Sequence, residues 1–414
     1  MTDTTAAVVD EVARTSYGRL VAYLASVTGD LAAAEDALGD ALVAALTTWP
    51  ERGVPERPES WLLTAARRTL IDAGRRRDVA RAALPALARA MEERSEQLSG
   101  GVISDDRLRL MFACAHPAIA PAMRSPLILQ AVLGLDAARL APAFLVAPTT
   151  MGQRLVRAKA KIRDARVPFR VPERHELPER LDAVLDAVYA AYGTGWDDVD
   201  GLDEARRGLV PEAIRLARLL AELLPDEPEA HGLLALVLHS HARHDARRDA
   251  SGDYVPLAEQ DVSLWSRELI AEAEAHLARA MTGGRIGPYQ LQAAIQSLHN
   301  RRSATGKTHW PAIAQLYDGL VRLAPTTGTA VARAAAHREV EGAAAALLLL
   351  DELTGEIGDD AVAGYQPYWV LRALCEHELG RTTAPEAASR AVALTTSPRV
   401  AAHLRRTLGP GQGT

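Results

Sequence analysis

The sequence predicts an all-α protein, and its size, its composition and its apolar spacing carry that prediction. The chain has 414 residues, which leaves room for two to three domains of about 150 residues each. Apolar residues make up 48% and charged residues 24%, a composition that supplies an ample globular core. Only 4% of the residues are aromatic, and alanine and leucine dominate. This favours helices, because β-rich chains depend on valine, isoleucine, threonine and aromatic residues.

The N-terminal part of the chain predicts three helices. An apolar repeat at helical spacing marks the first helix, and Asp30 is predicted to cap a second helix over 31–49. Prolines and glycines form a loop after it. Ser60 is predicted to cap a third helix, whose outer face carries arginines. The apolar repeat of the first helix consists of Tyr17, Leu20, Val21 and Leu24.

Residues 136–165 predict a pair of helices. A short helix, 136–145, leads through a tight turn to a second helix, 150–165, which Thr149 is predicted to cap. A short turn before a polar, basic second helix is typical of a helix-turn-helix, and the major groove of DNA admits such a helix. An ordinary basic helical hairpin fits the same pattern, so the spacing alone leaves DNA binding open. The second helix has an apolar stripe, Met151, Leu155, Ala158 and Ile162, and a polar face, Gln153, Arg154, Arg157 and Lys161.

The charges are distributed unevenly along the chain. The whole chain carries 47 basic and 53 acidic residues, for a net charge of −6. Residues 1–180 hold 25 basic and 22 acidic side chains, a net +3, and the remainder holds 22 and 31, a net −9. The overall charge argues against a nucleic-acid partner, whereas two dense basic stretches, 61–81 and 139–174, argue for one. A solvated helix face is the simpler explanation of any single stretch.

The rest of the chain, beyond prolines at 168–178, is predicted to be almost continuously helical to about residue 408. Some helix pairs resemble pieces of tetratricopeptide repeats, but their period is too irregular to count repeats. The predicted helices are 179–192, 208–224, 228–247, 264–282, 288–300, 310–323, 329–353, 366–379 and 384–394. The predicted domains are therefore 1–80, a linker over 81–104, 105–172, and a helical domain over 178–408.

Several combinations of reactive side chains suggest chemistry, but each has a simpler structural explanation. Residues 306–308 resemble the end of a phosphate-binding loop, yet Arg301 stands where its first glycine belongs. Cys114 and His116 lack an orienting acid. A histidine cluster lacks a further metal ligand that the sequence can place. The sequence therefore predicts no enzyme, no metal and no cofactor. The histidine cluster is His239, His241 and His244, beside Asp245.

The sequence also bounds the compartment. Two cysteines, Cys114 and Cys375, cannot build a disulfide framework or a cysteine-rich zinc site. The first residues have neither the basic start nor the apolar run of a signal peptide. The longest apolar run, 343–350, is too short to cross a bilayer. We therefore expect a cytoplasmic protein that inserts into no membrane.

Several blocks, in order along the chain, resemble the extracytoplasmic-function (ECF) sigma factors of bacterial RNA polymerase. The similarity is to the subgroup with a long helical C-terminal extension, and it covers nearly the whole chain. Because several ordered blocks match rather than one, the motif set is specific. The blocks are 31–50 and 58–72 for the second conserved region, 106–117 and 150–159 for the fourth, and 259–261 and 287–295 for the extension.

The resemblance implies a division of labour. The helix over 31–49 would dock on the β′ clamp helices of core RNA polymerase, and the β flap would be a further polymerase contact. The helix from Trp61 and the arginines after it would open and read the minus-ten element of the promoter. The helix-turn-helix would read the minus-thirty-five duplex, with arginine and glutamine on base edges and lysine on phosphates. The implied contacts are Glu35, Asp36, Asp40, Leu42 and Trp49 for polymerase; Arg67, Arg68, Asp72, Arg75, Arg76 and Arg77 for the minus-ten element; and Thr149, Thr150, Met151, Gln153, Arg154, Arg157, Lys159 and Lys161 for the minus-thirty-five element.

Other functions explain parts of the same pattern. A one-component transcription regulator would combine a helix-turn-helix with a ligand-sensing helical domain. A helical adaptor would have basic stretches that are only solvated faces. We favour a promoter-recognition subunit that catalyses nothing itself. The uneven charge further suggests that the acidic extension contacts the basic sigma regions within the chain and masks them.

Overall fold

The computed structural model describes residues 2–76, 103–144, 146–170, 172–173, 175–196, 209–395 and 397–408. Those residues form helices joined by turns and loops, with no strand among them and one isolated bridge between Arg248 and Tyr254. The all-α prediction is therefore confirmed. The chain divides into two compact units, Met1–Ala191 and Tyr192–Thr414.

The first unit opens with three helices that pack against one another: α1 (Thr2–Thr28), α2 (Leu31–Arg52) and α3 (Pro58–Arg76). The Asp30 cap is confirmed, because the Ala33 N–H donates to Asp30 Oδ1 at 3.2 Å. The Ser60 cap is wrong. Pro58 already begins α3, since the first helical position needs no N–H, and Ser60 falls inside the first turn.

The unit continues with α4 (Ile103–Cys114), α5 (Pro121–Leu133), α6 (Ala137–Ala143), α7 (Pro148–Asp164) and α8 (Pro178–Trp196), the last of which runs on into the second unit. The helices α6 and α7 are the pair predicted over 136–165. Asp136 precedes α6 and accepts the N–H of Arg139 at 2.9 Å. The Thr149 cap is wrong, because α7 begins at Pro148 and its N-cap residue, Ala147, makes no side-chain hydrogen bond.

The two sequence segments predicted as separate domains, 1–80 and 105–172, contribute their described helices to one unit. Helix α1 packs against α4 and α5, and α2 packs against α7. The predicted linker, 81–104, lies outside the described residues except for 103–104, and the predicted boundaries stay a prediction. The helices of these two segments therefore touch each other in this structure.

The second unit consists of helices that pack mostly against their neighbours in sequence. They are α9 (Leu209–Leu223), α10 (Pro228–His241), α11 (Arg267–Ala280), α12 (Pro288–Asn300), α13 (Arg302–Thr305), α14 (Trp310–Leu323), α15 (Thr327–Glu341), α16 (Ala343–Ile357), α17 (Asp359–Ala363), α18 (Gln366–Glu378), α19 (Ala384–Ala393) and α20 (Pro398–Leu408).

Three predicted helices of this unit are too long. The helix predicted over 329–353 is two helices, because Gly342 has φ +89°, a conformation that favours glycine and ends α15. The helix predicted over 228–247 ends at His241, and His244–Arg247 forms a 3₁₀ turn. The helix predicted over 264–282 begins only at Arg267 and ends at Ala280.

A buried carboxylate holds the segment that resembles the sigma-factor extension. Glu229 on α10 accepts the N–H groups of Tyr289 and Gln290 at 3.0 Å each, at the start of α12. A Cβ atom on Gly287 would overlap this carboxylate, so a side chain there would displace Glu229 from the two N–H groups. Within the described residues, no helix combines the length and the apolar composition that crossing a bilayer requires.

Candidate nucleic-acid interface

Helix α7 exposes most of the side chains predicted to read DNA. Gln153, Arg154 and Arg157 are exposed and lie on one face at helical spacing, and Lys161 and Thr149 are also exposed. Arginine and glutamine can each make two hydrogen bonds to one base edge. The arrangement suits a helix that enters a major groove with this face leading.

Met151 and Leu155 lie on the opposite side of α7. Met151 is 1% exposed, and it belongs to the buried stripe that anchors the helix to its unit. Its thioether therefore has no access to a base in this structure, although the resemblance places it among the promoter contacts. The helical spacing of the apolar stripe in the sequence already indicates that Met151 is buried.

Helix α3 carries the predicted minus-ten residues. Arg68 and Asp72 are exposed, and Arg67 is half-buried. Arg75 and Arg76 continue the helix, but their side chains, like all of Arg77, lie outside what the structure describes.

Helix α2 presents the predicted polymerase surface only in part. Asp36 and Asp40 are exposed, and Leu42 is half-buried. Trp49 is 2% exposed, and its ring meets that of Trp61 edge-on, with 5.5 Å between centroids. It therefore packs α2 against α3 rather than facing a partner.

Two apolar side chains that sequence reasoning missed lie on the outside of α2. Val43 is 63% exposed and Leu46 is 46% exposed. They follow Asp36 and Asp40 at helical spacing, so the helix offers an acidic start and an apolar continuation to a partner. In the sequence, both residues stand outside the buried stripe of α2, and that position could have indicated an exposed apolar contact.

One predicted polymerase contact meets one predicted DNA contact. Lys159 Nζ on α7 donates to Glu35 Oε2 on α2 at 2.6 Å, and the two side chains are 14% and 10% exposed. Burial raises the pKa of Glu35, an effect that the charge of Lys159 opposes. Sequence reasoning assigned these groups to different partners, because no periodicity connects residues 124 positions apart.

The ion pair lies beside a close approach of helices. Burial and the charges of Glu35 and Asp36 raise the pKa of Tyr17 on α1. A Cβ atom on Gly134, just after α5, would come within 3.1 Å of Tyr17 Cδ1. A side chain on Gly18 would overlap the carbonyl oxygen of Val132 on α5. Helices α1 and α5 thus approach each other closely along their backbones, and α2 and α7 meet through charge.

Of the side chains that suggested metal or nucleophile chemistry, His239 and Cys114 are buried, and the others are half-buried or exposed: His116, His241, His244 and Asp245. His239 is buried, and burial and the charge of Arg243 lower its pKa to about 4. Asn300 Nδ2 donates to the carbonyl oxygen of His239 at 3.1 Å. Burial raises the pKa of the Cys114 thiol, which disfavours the reactive thiolate. Among the described residues, no three histidine, cysteine or acidic side chains form a metal-binding group.

Two family models match different parts of the chain. Residues 13–79 match the sigma-70 region 2 family, and residues 180–281 match a family of unknown function (DUF6596). An uncharacterized protein of Rhizobium meliloti is 39% identical over 397 residues, which cover 94% of this chain and 92% of that protein. No solved structure matches the chain.

The region 2 match covers α1 from residue 13 onward and all of α2 and α3, and the last two helices carry the predicted polymerase and minus-ten surfaces. Sigma region 2 binds core RNA polymerase and promoter DNA in general. The rhizobial relative spans the helical extension as well as the N-terminal regions, so both parts belong to one family architecture. The chain therefore belongs to the sigma factors of bacterial RNA polymerase, in a family with a long helical C-terminal extension.

Proposed function

We propose that the chain is an ECF-type sigma factor that directs promoter recognition and transcription initiation, with a regulatory C-terminal extension. The observation that carries the proposal is the exposed face of Gln153, Arg154 and Arg157 on α7, in the same compact unit as sigma region 2. Promoter recognition at two elements needs a second DNA-reading helix besides region 2. Helix α7 has the chemistry for that task.

In this proposal, helix α3 binds the minus-ten element. Arg68 is exposed on that helix, and arginines continue along the sequence to Arg77. Melted single-stranded DNA is bound by cationic side chains along its backbone, helped by stacking of bases.

Core polymerase binds α2 in this proposal. The exposed Asp36 and Asp40 supply charge, and the exposed Val43 and Leu46 supply apolar area. A helix face that combines both suits a partner helix pair such as the β′ clamp helices. The contact of region 4 with the β flap and the masking role of the extension remain predictions from the resemblance and from the charge distribution.

In vitro transcription from the upstream region of the gene itself tests the proposal. We expect specific initiation that depends on purified chain added to core polymerase. Arg154→Ala should reduce initiation by about tenfold or more, since one bidentate base contact is worth about 1–3 kcal/mol. Arg322→Ala, which removes an exposed arginine from the last turn of α14, is the matched control and should leave initiation unchanged.

The outcomes distinguish the possible functions. Polymerase binding without initiation indicates a sigma factor that awaits a signal. Tight binding of the isolated chain to duplex DNA, with no polymerase binding, supports a one-component regulator instead. Absence of both kinds of binding contradicts both functions and leaves a helical adaptor.

A further inference from the structure

The contact between α2 and α7 joins two groups that the proposed function assigns to two other partners, polymerase and DNA. Glu35 lies on the helix proposed to bind polymerase, and Lys159 lies on the helix proposed to bind the minus-thirty-five duplex. Their ion pair, 2.6 Å long, leaves both side chains almost out of solvent. While the pair exists, the Lys159 ammonium cannot reach a phosphate and the Glu35 carboxylate cannot reach polymerase.

The backbone fit beside the pair shows that this contact belongs to an extended surface. At Gly18 the backbone of α1 lies so close to that of α5 that any side chain would overlap the Val132 carbonyl. Such a fit between region 2 and region 4 needs the whole arrangement, not one flexible side chain. The closed arrangement of the two regions is therefore a defined state of the unit.

The ion pair is nevertheless incompletely satisfied. Glu35 Oε1 is buried and has no hydrogen-bond partner among the described residues. A buried carboxylate oxygen without a partner carries a desolvation cost that a new donor can remove. A partner that offers donors to both oxygens of Glu35 would therefore displace Lys159 favourably.

We propose that the Glu35–Lys159 pair, which we call the closing pair, adds to the packing that keeps regions 2 and 4 together in the free chain, and that core polymerase opens this contact by taking Glu35. Opening then frees Lys159 for promoter phosphates. This inference rests on the proposed function, because it takes polymerase and promoter as the two competing partners. The closing pair would couple the two binding events: polymerase binds first, and strong contact with the minus-thirty-five duplex follows.

The lysine content of the chain provides a direct test. The sequence has three lysines, Lys159, Lys161 and Lys307, and the latter two are exposed. Amine acetylation followed by mass spectrometry therefore compares the closing pair with a neighbour on α7 and with a site in the extension. In the free full-length chain we expect Lys159 to react about tenfold more slowly than Lys161, as an open population of about 10% or less would produce.

Complex formation should change this pattern in two steps. Addition of core polymerase should raise the Lys159 rate toward that of Lys161, and addition of promoter duplex should lower it again. A Lys159 rate equal to that of Lys161 in the free chain overturns the proposal. So does a Lys159 rate that stays low in the complex with polymerase alone.

Two variants separate closure from the loss of a contact. Gly18→Ala should force α1 and α5 apart and raise Lys159 acetylation severalfold, without touching either charged group. Gly39→Ala is its control, because a Cβ there meets no atom within 4 Å and should leave the acetylation pattern unchanged. Glu35→Gln removes the ion pair without adding volume, and it should raise the Lys159 rate even if Gly18→Ala fails to fold by circular dichroism. A slow Lys159 in a folded Glu35→Gln chain contradicts the proposal.

Failure of the proposed function is visible separately. A pull-down that recovers no core polymerase with the wild-type chain or with Glu35→Gln contradicts the sigma function, and it overturns the closing pair as a device of initiation. Recovery of polymerase with a Lys159 rate that does not respond contradicts only the closing pair.

Discussion

The two units bury their polar groups in different ways. In the second unit, Arg243 donates to Asn300 Oδ1 at 2.7 Å and to Gln296 Oε1 at 2.6 Å, and Asn300 in turn bonds to His239. In the first unit, α2 and α7 meet at the Glu35–Lys159 pair, one oxygen of which is unsatisfied. A connected network specifies one arrangement of helices, whereas a half-satisfied pair can exchange its partner. The extended network around Arg243 therefore favours one arrangement of its helices, even though His239 Nε2 has no hydrogen-bond partner in the described part of the chain. The single pair between α2 and α7 is the contact that we propose opens.

The largest effect that tests this comparison concerns Arg243. Burial lowers the pKa of Arg243 to about 10, so the guanidinium remains charged and its hydrogen bonds are charge-assisted. We expect Arg243→Ala to lower the free energy of unfolding of the second unit by about 3 kcal/mol, because the buried Asn300 amide and the half-buried Gln296 amide lose their donor and a cavity remains. Urea denaturation followed by hydrogen exchange of α10 and α12 peptides measures this loss. The control Arg322→Ala should change stability by less than about 0.5 kcal/mol, and equal losses in the two variants would contradict the network.

Acid should weaken the second unit through His239. The unfolded histidine takes up a proton at its ordinary pKa of 6.5, whereas the folded one does so only at about 4. Its contribution to stability is therefore fully present above pH 6.5 and is lost as the pH falls toward 4. The loss approaches about 3 kcal/mol. Thermal denaturation across this range measures it. His239→Gln should reduce the pH dependence without abolishing it, because burial also lowers the pKa of His299 to about 4. A slope that the substitution leaves unchanged would assign the effect to other groups.

Substitutions in the closing pair should change the stability of the first unit by smaller amounts. Lys159→Met leaves the buried Glu35 unpaired and should cost about 2 kcal/mol, more than Glu35→Gln, which removes the charge itself. Burial already raises the pKa of Glu35, and the loss of Lys159 should raise it further. A raised carboxyl pKa disfavours the folded state as the pH rises, so the Lys159→Met loss should be greater at about pH 8 than at about pH 5. A double-mutant cycle of thermal stabilities gives the coupling, and a coupling near zero would contradict a stabilising pair.

Sequence reasoning reached the all-α fold and the exposed polar face of α7 because these depend on local signals. Periodicity located the helices, and the spacing of Gln153 and Arg157 placed a polar face on α7. The position of Met151 on the apolar stripe conflicted with its place among the implied DNA contacts, and the buried position in the structure agrees with the stripe. Local physics was the better guide there than the resemblance.

The Glu35–Lys159 pair could not be predicted in the same way. Both residues are charged and lie on helices with other charged residues, so each is explained locally as a solvated group. Their meeting depends on how α1 fits against α5 at Gly18, and that fit depends on backbone geometry far apart in sequence. Helix ends were missed for a different reason: Gly342 is a single glycine just before a run of alanines, and its positive φ marks the break.

The smallest predicted effect tests whether the stability of helix α2 influences the opening of the closing pair. Gly39 lies within α2, and an added Cβ would meet no atom within 4 Å. Gly39→Ala should therefore stabilise the first unit by about 0.5–1 kcal/mol through lower backbone entropy in the unfolded chain. Gly53→Ala, at a position with φ +83°, should destabilise it instead, and thermal denaturation distinguishes the two. If Gly39→Ala raises stability without slowing Lys159 acetylation, then helix stability does not control closure. The separation of the sigma regions would in that case depend on the contact between α2 and α7, as the comparison with the extension requires.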